Sequence, residues 1–314
     1  MEENAASGLR EQQLRRKRIK KIKSTIVTGI VIWILTTSIL TVTLFVKLLH
    51  MEDRLDELAK SVISVEQVME NQQEKSAASP KENAETLDTV KNGAEEDNLL
   101  KEGQTQKVYL TFDDGPSEST ARILDILKEK NVKATFFVIG QEDGESKELY
   151  QRIVAEGHTL GMHSFSHKYN VIYESLEAFS EDMAHLQSYL AEVTGVTPEI
   201  LRFPGGSSNQ VSNTDMKEFI RFLKEKGITY YDWNVASGDA TSHAYTPEEL
   251  VQNVMNDVGR YETSIVLMHD SSAKSGTVEA LAPMIDQLKE MGAELLPIDE
   301  NTTPIQQIPA DSVD

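Results

Sequence analysis

From Gln106 onward the chain repeats one pattern, a short apolar run followed by a longer stretch in which apolar residues recur every three or four positions. Runs of four to eight residues rich in Val, Ile and aromatics read as strands, and the 3.6-residue period reads as an amphipathic helix. The strand candidates are KVYLTF, ATFFVI, HTLGM, EILRF, ITYYDW, SIVLMH and AELLPI. Helices are expected between them near 118–130, 146–156, 175–194, 213–226, 247–258 and 277–291. Seven strands alternating with helices call for a parallel α/β architecture, because parallel neighbours need a crossover that a helix supplies. Two forms fit residues 106–300, an open doubly wound sheet and a small β/α barrel. In a barrel, chemistry belongs at the C-terminal ends of the strands.

What precedes this part is of another kind. Residues 24–45, STIVTGIVIWILTTSILTVTLF, carry no charge. At 1.5 Å per residue that length spans a hydrocarbon core of about 30 Å. The run is longer than a signal-peptide core, and no A-x-A-like cleavage site follows it. Eight basic against three acidic side chains stand before it in residues 1–23. The positive-inside rule therefore places 1–23 in the cytoplasm, 24–47 as a single transmembrane anchor at the cell membrane, and the rest outside. Met51, Leu55, Leu58, Val62, Val65 and Met69 then follow heptad spacing, so 48–70 reads as a helical or coiled-coil stalk able to form a homodimer. Residues 71–105, rich in Glu, Asn, Ser and Ala, read as a disordered acidic linker, and 301–314 as a disordered tail. The formal net charge is −20, made of +5 in residues 1–23 and −25 in everything after them. Such an acidic chain excludes nucleic acid as a partner, since phosphate neutralisation needs Lys and Arg. With no cysteine, disulfides and thiolate chemistry are excluded as well.

Polar residues gather where the strands end. The first strand runs into Asp113-Asp114-Gly115-Pro116, the third region into His163-Ser164-Phe165-Ser166-His167, EILRF into Arg202 and Gly205-Gly206, ITYYDW into Trp233 and Asp239, and SIVLM into His269-Asp270. Neighbours on a strand point to opposite sides, so the two adjacent aspartates share a site only where the backbone bends, and Gly-Pro sets a turn there. Histidines four apart lie on one face of a helical turn and can reach one ion. With a carboxylate they make a two-His-one-carboxylate set suited to Zn²⁺ or another first-row divalent ion. Water polarised by such an ion needs a base, which one of the two aspartates can be, with Arg202 as the cation that holds it. His269 is the candidate acid. Together these describe metal-assisted hydrolysis of an acyl or related group. His158 reads as a structural residue in a turn.

The succession TFDDG, HSFSH, RFPGG, WNVASGD and IVLMHD resembles the five ordered motifs of polysaccharide deacetylases, the NodB-homology group of carbohydrate esterase family 4. The resemblance covers residues 106–300, and the anchored form is similar to bacterial peptidoglycan N-acetylglucosamine deacetylases. It implies a distorted (β/α)7 barrel that removes acetyl from N-acetylated sugars of a cell-wall glycan. By position in the motifs, it implies Asp113 as base and Asp114, His163 and His167 as ligands of one divalent metal, Zn²⁺ first, with Co²⁺ or Mn²⁺ as substitutes. Arg202 would hold the base and Asp239 would polarise the acid His269. The Gly205 N–H would meet the oxyanion, Leu267 would line the acetyl pocket, and Trp233 would line the substrate groove. Three positions depart from the usual pattern. Gly205 replaces an aromatic, so a groove-lining ring is expected to be lost, and Ala236 and Ala240 stand where Asp and Trp are frequent. The rival readings are an O-deacetylase of acetylated polysaccharide such as xylan and a catalytically weak glycan-binding membrane protein.

Overall fold

The computed structural model describes residues 98–101 and 105–313. The basic segment, the anchor, the stalk and the linker as far as residue 97 lie outside the described residues. Among those described, no helix is long and apolar enough to cross a membrane.

Eight strands are present among the described residues: β1 (Lys107–Asp113), β2 (Thr135–Ile139), β3 (Thr159–Ser164), β4 (Ile200–Leu201), β5 (Thr229–Tyr230), β6 (Val235–Ala236), β7 (Thr263–His269) and β8 (Glu294–Leu295). The helices are α1 (Thr120–Glu129), α2 (Gly144–Ala155), α3 (Tyr169–Ile172), α4 (Leu176–Thr194), α5 (Met216–Lys226), α6 (Pro247–Val258) and α7 (Ser275–Glu290). Local signals fix their ends. Ser175 caps α4, which stops at Gly195 in the left-handed region, and Thr246 with Glu249 forms a capping box at α6 with Pro247 in its first turn.

The strands pair in parallel in the order β5-β4-β3-β2-β1-β7-β6, with β8 on the first residues of β1. This single curled sheet leaves a seam, because β5 and β6 are its two ends and do not pair. Period-two alternation sorts the strand residues into two cores. Val108, Leu110 and Phe112 of β1 join Phe136, Met162, Leu201, Val266 and Met268 and the apolar faces of the helices in the larger core. Tyr109, Phe137, Tyr231, Ile265 and Ile298 form a smaller core on the other side of the sheet. Thr111 and Asp113 follow Tyr109 on that second side, and β1–β7 register sets Thr111 beside Leu267 and Asp113 beside His269.

Two expectations are corrected. ITYYDW is not one strand: β5 ends at Tyr230 and the chain rejoins the sheet only as β6, giving eight strands rather than seven. The cause is tertiary, since buried Asp232 turns its carboxylate to Ser207 and Gln307 and its N–H to Ile305 O at 2.7 Å. Nor are residues 301–313 of the expected 301–314 tail disordered. Residues 301–313 pack along the seam: Tyr231 Oη donates to Thr302 O, Gln306 Nε2 to Tyr230 O, and Tyr230 Oη to Ile308 O. Val313 is buried in the larger core. Burial of these apolar residues and use of their backbone groups outweigh a composition without periodicity. At the other end, Asn98 belongs with the domain rather than the linker, exchanging two 2.9 Å hydrogen bonds with the Thr263 backbone.

Candidate active site

Arg202, just past β4, is wholly buried and makes four hydrogen bonds. Nη1 donates to Asp113 Oδ1 at 2.9 Å and to Thr111 Oγ1 at 2.7 Å. Nε and Nη2 donate to the carbonyls of Tyr231 and Asp232 at 3.0 and 3.1 Å. Phe137 stacks against the guanidinium at 4.4 Å. Asp113 is thus a buried carboxylate with a fixed counter-charge. Burial raises its pKa, and the charges of Arg202 and His269 offset only part of that rise. The result is a carboxylate with more than ordinary proton affinity.

Asp114 leaves the strand through its own backbone, with φ of 75°, before Gly115-Pro116 is reached. That left-handed residue turns two adjacent carboxylates into one site, at the strain cost of about 1–3 kcal/mol usual for a side-chain-bearing residue there. Asp114 Oδ1 lies 3.6 Å from His163 Nε2 and 3.2 Å from His167 Nε2, and the three ligand atoms all fall within 4.8 Å of one another. The histidines are not on a helical turn, as their spacing suggested. His163 lies in β3, and His167 lies in the following loop with φ of 49°. Asp182 of α4 organises that loop, accepting from Phe165 N–H, Ser166 N–H and Ser164 Oγ.

These three residues fit a divalent cation on structural grounds. Asp114 Oδ1 is buried and receives no hydrogen bond. His163 Nδ1 is 2.7 Å from Arg202 O, and a carbonyl only accepts, so Nδ1 carries the proton and Nε2 presents a lone pair. Burial pulls the His163 pKa down to about 3, keeping the imidazole neutral as a ligand must be.

Across the β1–β7 register stands His269. Its Nδ1 donates to Asp239 Oδ1 at 2.8 Å, while Asp239 Oδ2 accepts from the His269 N–H and from Thr277 Oγ1, each at 2.8 Å. Burial opposes charge on His269, but the hydrogen bond and charge of Asp239 outweigh it, and the pKa is raised. Burial likewise opposes charge on Asp239, yet its bonds to His269 and Thr277 hold its pKa below the usual carboxylate range. Asp270 beside it is buried and takes hydrogen bonds from Ser117 Oγ at 2.7 Å and Thr120 Oγ1 at 2.6 Å. Its own N–H donates to Asp113 O at 2.7 Å, so Asp270 ties the turn after β1 to the end of β7.

Asp113, Asp114, His163, His167, Arg202, Asp239 and His269 are brought together at this end of the sheet. Gly205 is exposed, and its N–H donates to no backbone carbonyl among the described residues. Leu267 is half-buried next to Thr111. Trp233 is half-buried, 5.8 Å from the Arg202 guanidinium and close to Gly206. Tyr169 stands beside Gly205, where an added Cβ would lie 3.4 Å from its ring. His158 is structural, accepting the Ala134 N–H at 3.1 Å. Sequence reasoning missed Asp182, Thr277, Thr111 and Tyr169. Thr111, in TFDDG, was the one with a positional signal.

The family model for polysaccharide deacetylases matches residues 101–229. A putative polysaccharide deacetylase of Bacillus subtilis, YheN, is 33% identical over 223 residues, covering 67% of this chain and 76% of that protein. A peptidoglycan-N-acetylglucosamine deacetylase of Bacillus cereus is 34% identical over 197 residues, covering 61% of this chain and 69% of the relative. Among solved structures, the catalytic domain of a peptidoglycan N-acetylglucosamine deacetylase from Eubacterium rectale is similar with a TM-score of 0.62 at 37% identity, covering 67% of this chain and 96% of that one.

Proposed function

The chain belongs to the polysaccharide deacetylase family, and on that premise we propose that it hydrolyses the N-acetyl groups of glucosamine in peptidoglycan, releasing acetate and a free amine. One observation carries the reading. A buried, arginine-paired carboxylate stands beside an Asp-His-His ligand set and in register with a carboxylate-held histidine. A divalent ion, Zn²⁺ with Co²⁺ or Mn²⁺ as substitutes, would be held by Asp114, His163 and His167 and supplies Lewis-acid polarisation of a carbonyl when bound. Asp113, oriented by Arg202, takes the proton of the attacking water. The Gly205 N–H donates to the oxygen on which charge develops. His269, kept protonated by Asp239, delivers a proton to the leaving amine as the C–N bond breaks. Leu267 forms the wall against the acetyl methyl.

The proposal extends to location. Residues 24–47 anchor the chain in the cell membrane, 1–23 stay cytoplasmic, the hydrolase faces the wall, and the 48–70 stalk pairs two copies.

The test uses the full chain in mild detergent with Zn²⁺, Co²⁺ or Mn²⁺, offered N-acetylglucosamine oligomers, purified peptidoglycan and acetylated xylan. Acetate release by wild type from the N-acetylated substrates, and not by Asp113→Asn, is expected. If the variant matches wild type on every glycan, the function is wrong.

A further inference from the structure

Tyr169 opens α3 immediately beyond the His167 loop, and its ring stands edge-on to His167 at 5.7 Å between centroids. It also faces Gly205, where an added Cβ would lie 3.4 Å from both Tyr169 Cε1 and Tyr169 Oη. The hydroxyl therefore sits between a metal-ligand candidate and the residue whose N–H faces the reaction. Tyr173, on the next turn, is buried and donates to Pro204 O at 2.8 Å, fastening the loop that carries Gly205. Tyr169 is half-buried, and its hydroxyl has no hydrogen-bond partner among the described residues. A phenol that only filled space would bury its ring and leave its oxygen to bulk water, whereas this one points its oxygen at the site.

Two clefts lie near these residues, and Tyr169 lines one of them. One, of about 510 Å³, is lined by Asp114, Pro116 and His167 among others. The other, of about 700 Å³, lies past Tyr169 and is lined by Asn170, Glu174, Val211 and Asn213. Val211 is 58% exposed there. An aromatic face, an exposed aliphatic group, two amides and a carboxylate suit a pyranose, whose C–H faces pack on apolar surface while its hydroxyls take the polar groups.

We propose that Tyr169 is a substrate-binding residue whose hydroxyl hydrogen-bonds the sugar being deacetylated, and whose ring seats the next sugar of the same chain in the second cleft. This rests on the deacetylase reading above and names how the glycan is held.

The experiment measures Tyr169→Phe and Tyr169→Ala in the full chain, each with and without Asp113→Asn. Binding of an N-acetylglucosamine tetramer is read by calorimetry in the Asp113→Asn background, KM and kcat in the native background, and thermal unfolding in all. Loss of one neutral hydrogen bond predicts a rise of about three- to tenfold in both Kd and KM for Tyr169→Phe, with Tm unchanged. Tyr169→Ala is expected to weaken binding further. Tyr169→Phe within twofold of its parent in Kd and KM overturns the proposal, as does a loss confined to kcat or Tm, or no saturable binding by the parent. If Asp113→Asn releases as much acetate as wild type, the deacetylase reading fails, and the binding measurement still judges Tyr169.

Discussion

Replacing Asp182 by Ala removes the carboxylate around which the His167 loop is wrapped. Oδ2 accepts from Phe165 N–H at 2.6 Å and Ser164 Oγ at 2.9 Å, and Oδ1 accepts from Ser166 N–H at 3.0 Å. Ser164 Oγ in turn receives the His167 N–H at 2.8 Å. Bonds to a charged acceptor contribute about 1.5–3 kcal/mol each, so the gross loss is on the order of 4–9 kcal/mol. Most of that returns, because the site is half-exposed and the freed N–H groups reach water. What does not return is order in residues 165–167, at about 1–2 kcal/mol for each backbone unit that must be fixed again when His167 meets a metal. His163 is spared, since β3 and its bond to Arg202 O hold it independently. The expected net effect is a 10–100-fold loss of Zn²⁺ affinity, about 1.4–2.8 kcal/mol, as is usual for groups that orient a ligand. Competition against a chromophoric chelator measures it, with thermal unfolding alongside. If Asp182→Ala binds Zn²⁺ within twofold of wild type while its Tm falls, the carboxylate only stitches α4 to the loop, and the reasoning is refuted.

Three further outcomes follow from the same geometry. Asp114→Ala should lose metal together with activity, whereas Asp113→Asn should keep metal and lose about 10²–10⁴-fold in kcat; equal metal loss in both would sink the division of roles. Because the pKa of His269 is raised, kcat/KM should fall on the alkaline side only above the ordinary histidine value of about 6.5. The stability that the His269–Asp239 pair contributes is full between the unfolded values of the two groups, lost as pH rises through the raised pKa of His269 and lost as pH falls through the lowered pKa of Asp239. Asp239→Asn removes the raising partner and leaves burial, so the alkaline limb should move to lower pH; an unmoved limb means another group is the acid. Gly115→Ala would set a Cβ 2.3 Å from Asp270 Oδ2, which Ser117 and Thr120 hold in place, and should destabilise by about 1–3 kcal/mol in denaturant unfolding.

Much of this was legible in the chain because both faces of a curled parallel sheet are buried, which makes its strands apolar runs that stand out between amphipathic helices. The helix expected at 247–258 is α6 to the residue, and Asp113, His163, Arg202 and His269 do sit at strand ends. The break after Tyr230 was not legible, because ITYYDW has the composition of a strand and only the distant Ser207 and Gln307 turn Asp232 out of it. The two adjacent aspartates were separated in the sequence by motif position alone, and the physical reason appears only in the structure: alternation puts Asp113 with Thr111, and the left-handed backbone of Asp114 does the rest. Asp182 looked like any acid on a helix face, and Tyr169 is 36 residues from Gly205, so no local pattern joins them.

The seam between β5 and β6 has a consequence for how tightly the base is tuned. A ladder of paired strands opens cooperatively, but here irregular backbone around Ile305–Ile308 stands in for a ladder, and such segments open at lower free energy than the core. The two carbonyls that hold the Arg202 guanidinium, those of Tyr231 and Asp232, lie just past β5 against that stretch, where the Asp232 N–H donates to Ile305 O. Local opening of the seam would therefore loosen the cation that offsets part of the burial-raised proton affinity of Asp113. Amide exchange at Asp232 and Gln307, whose N–H groups bond across the seam, reports that breathing.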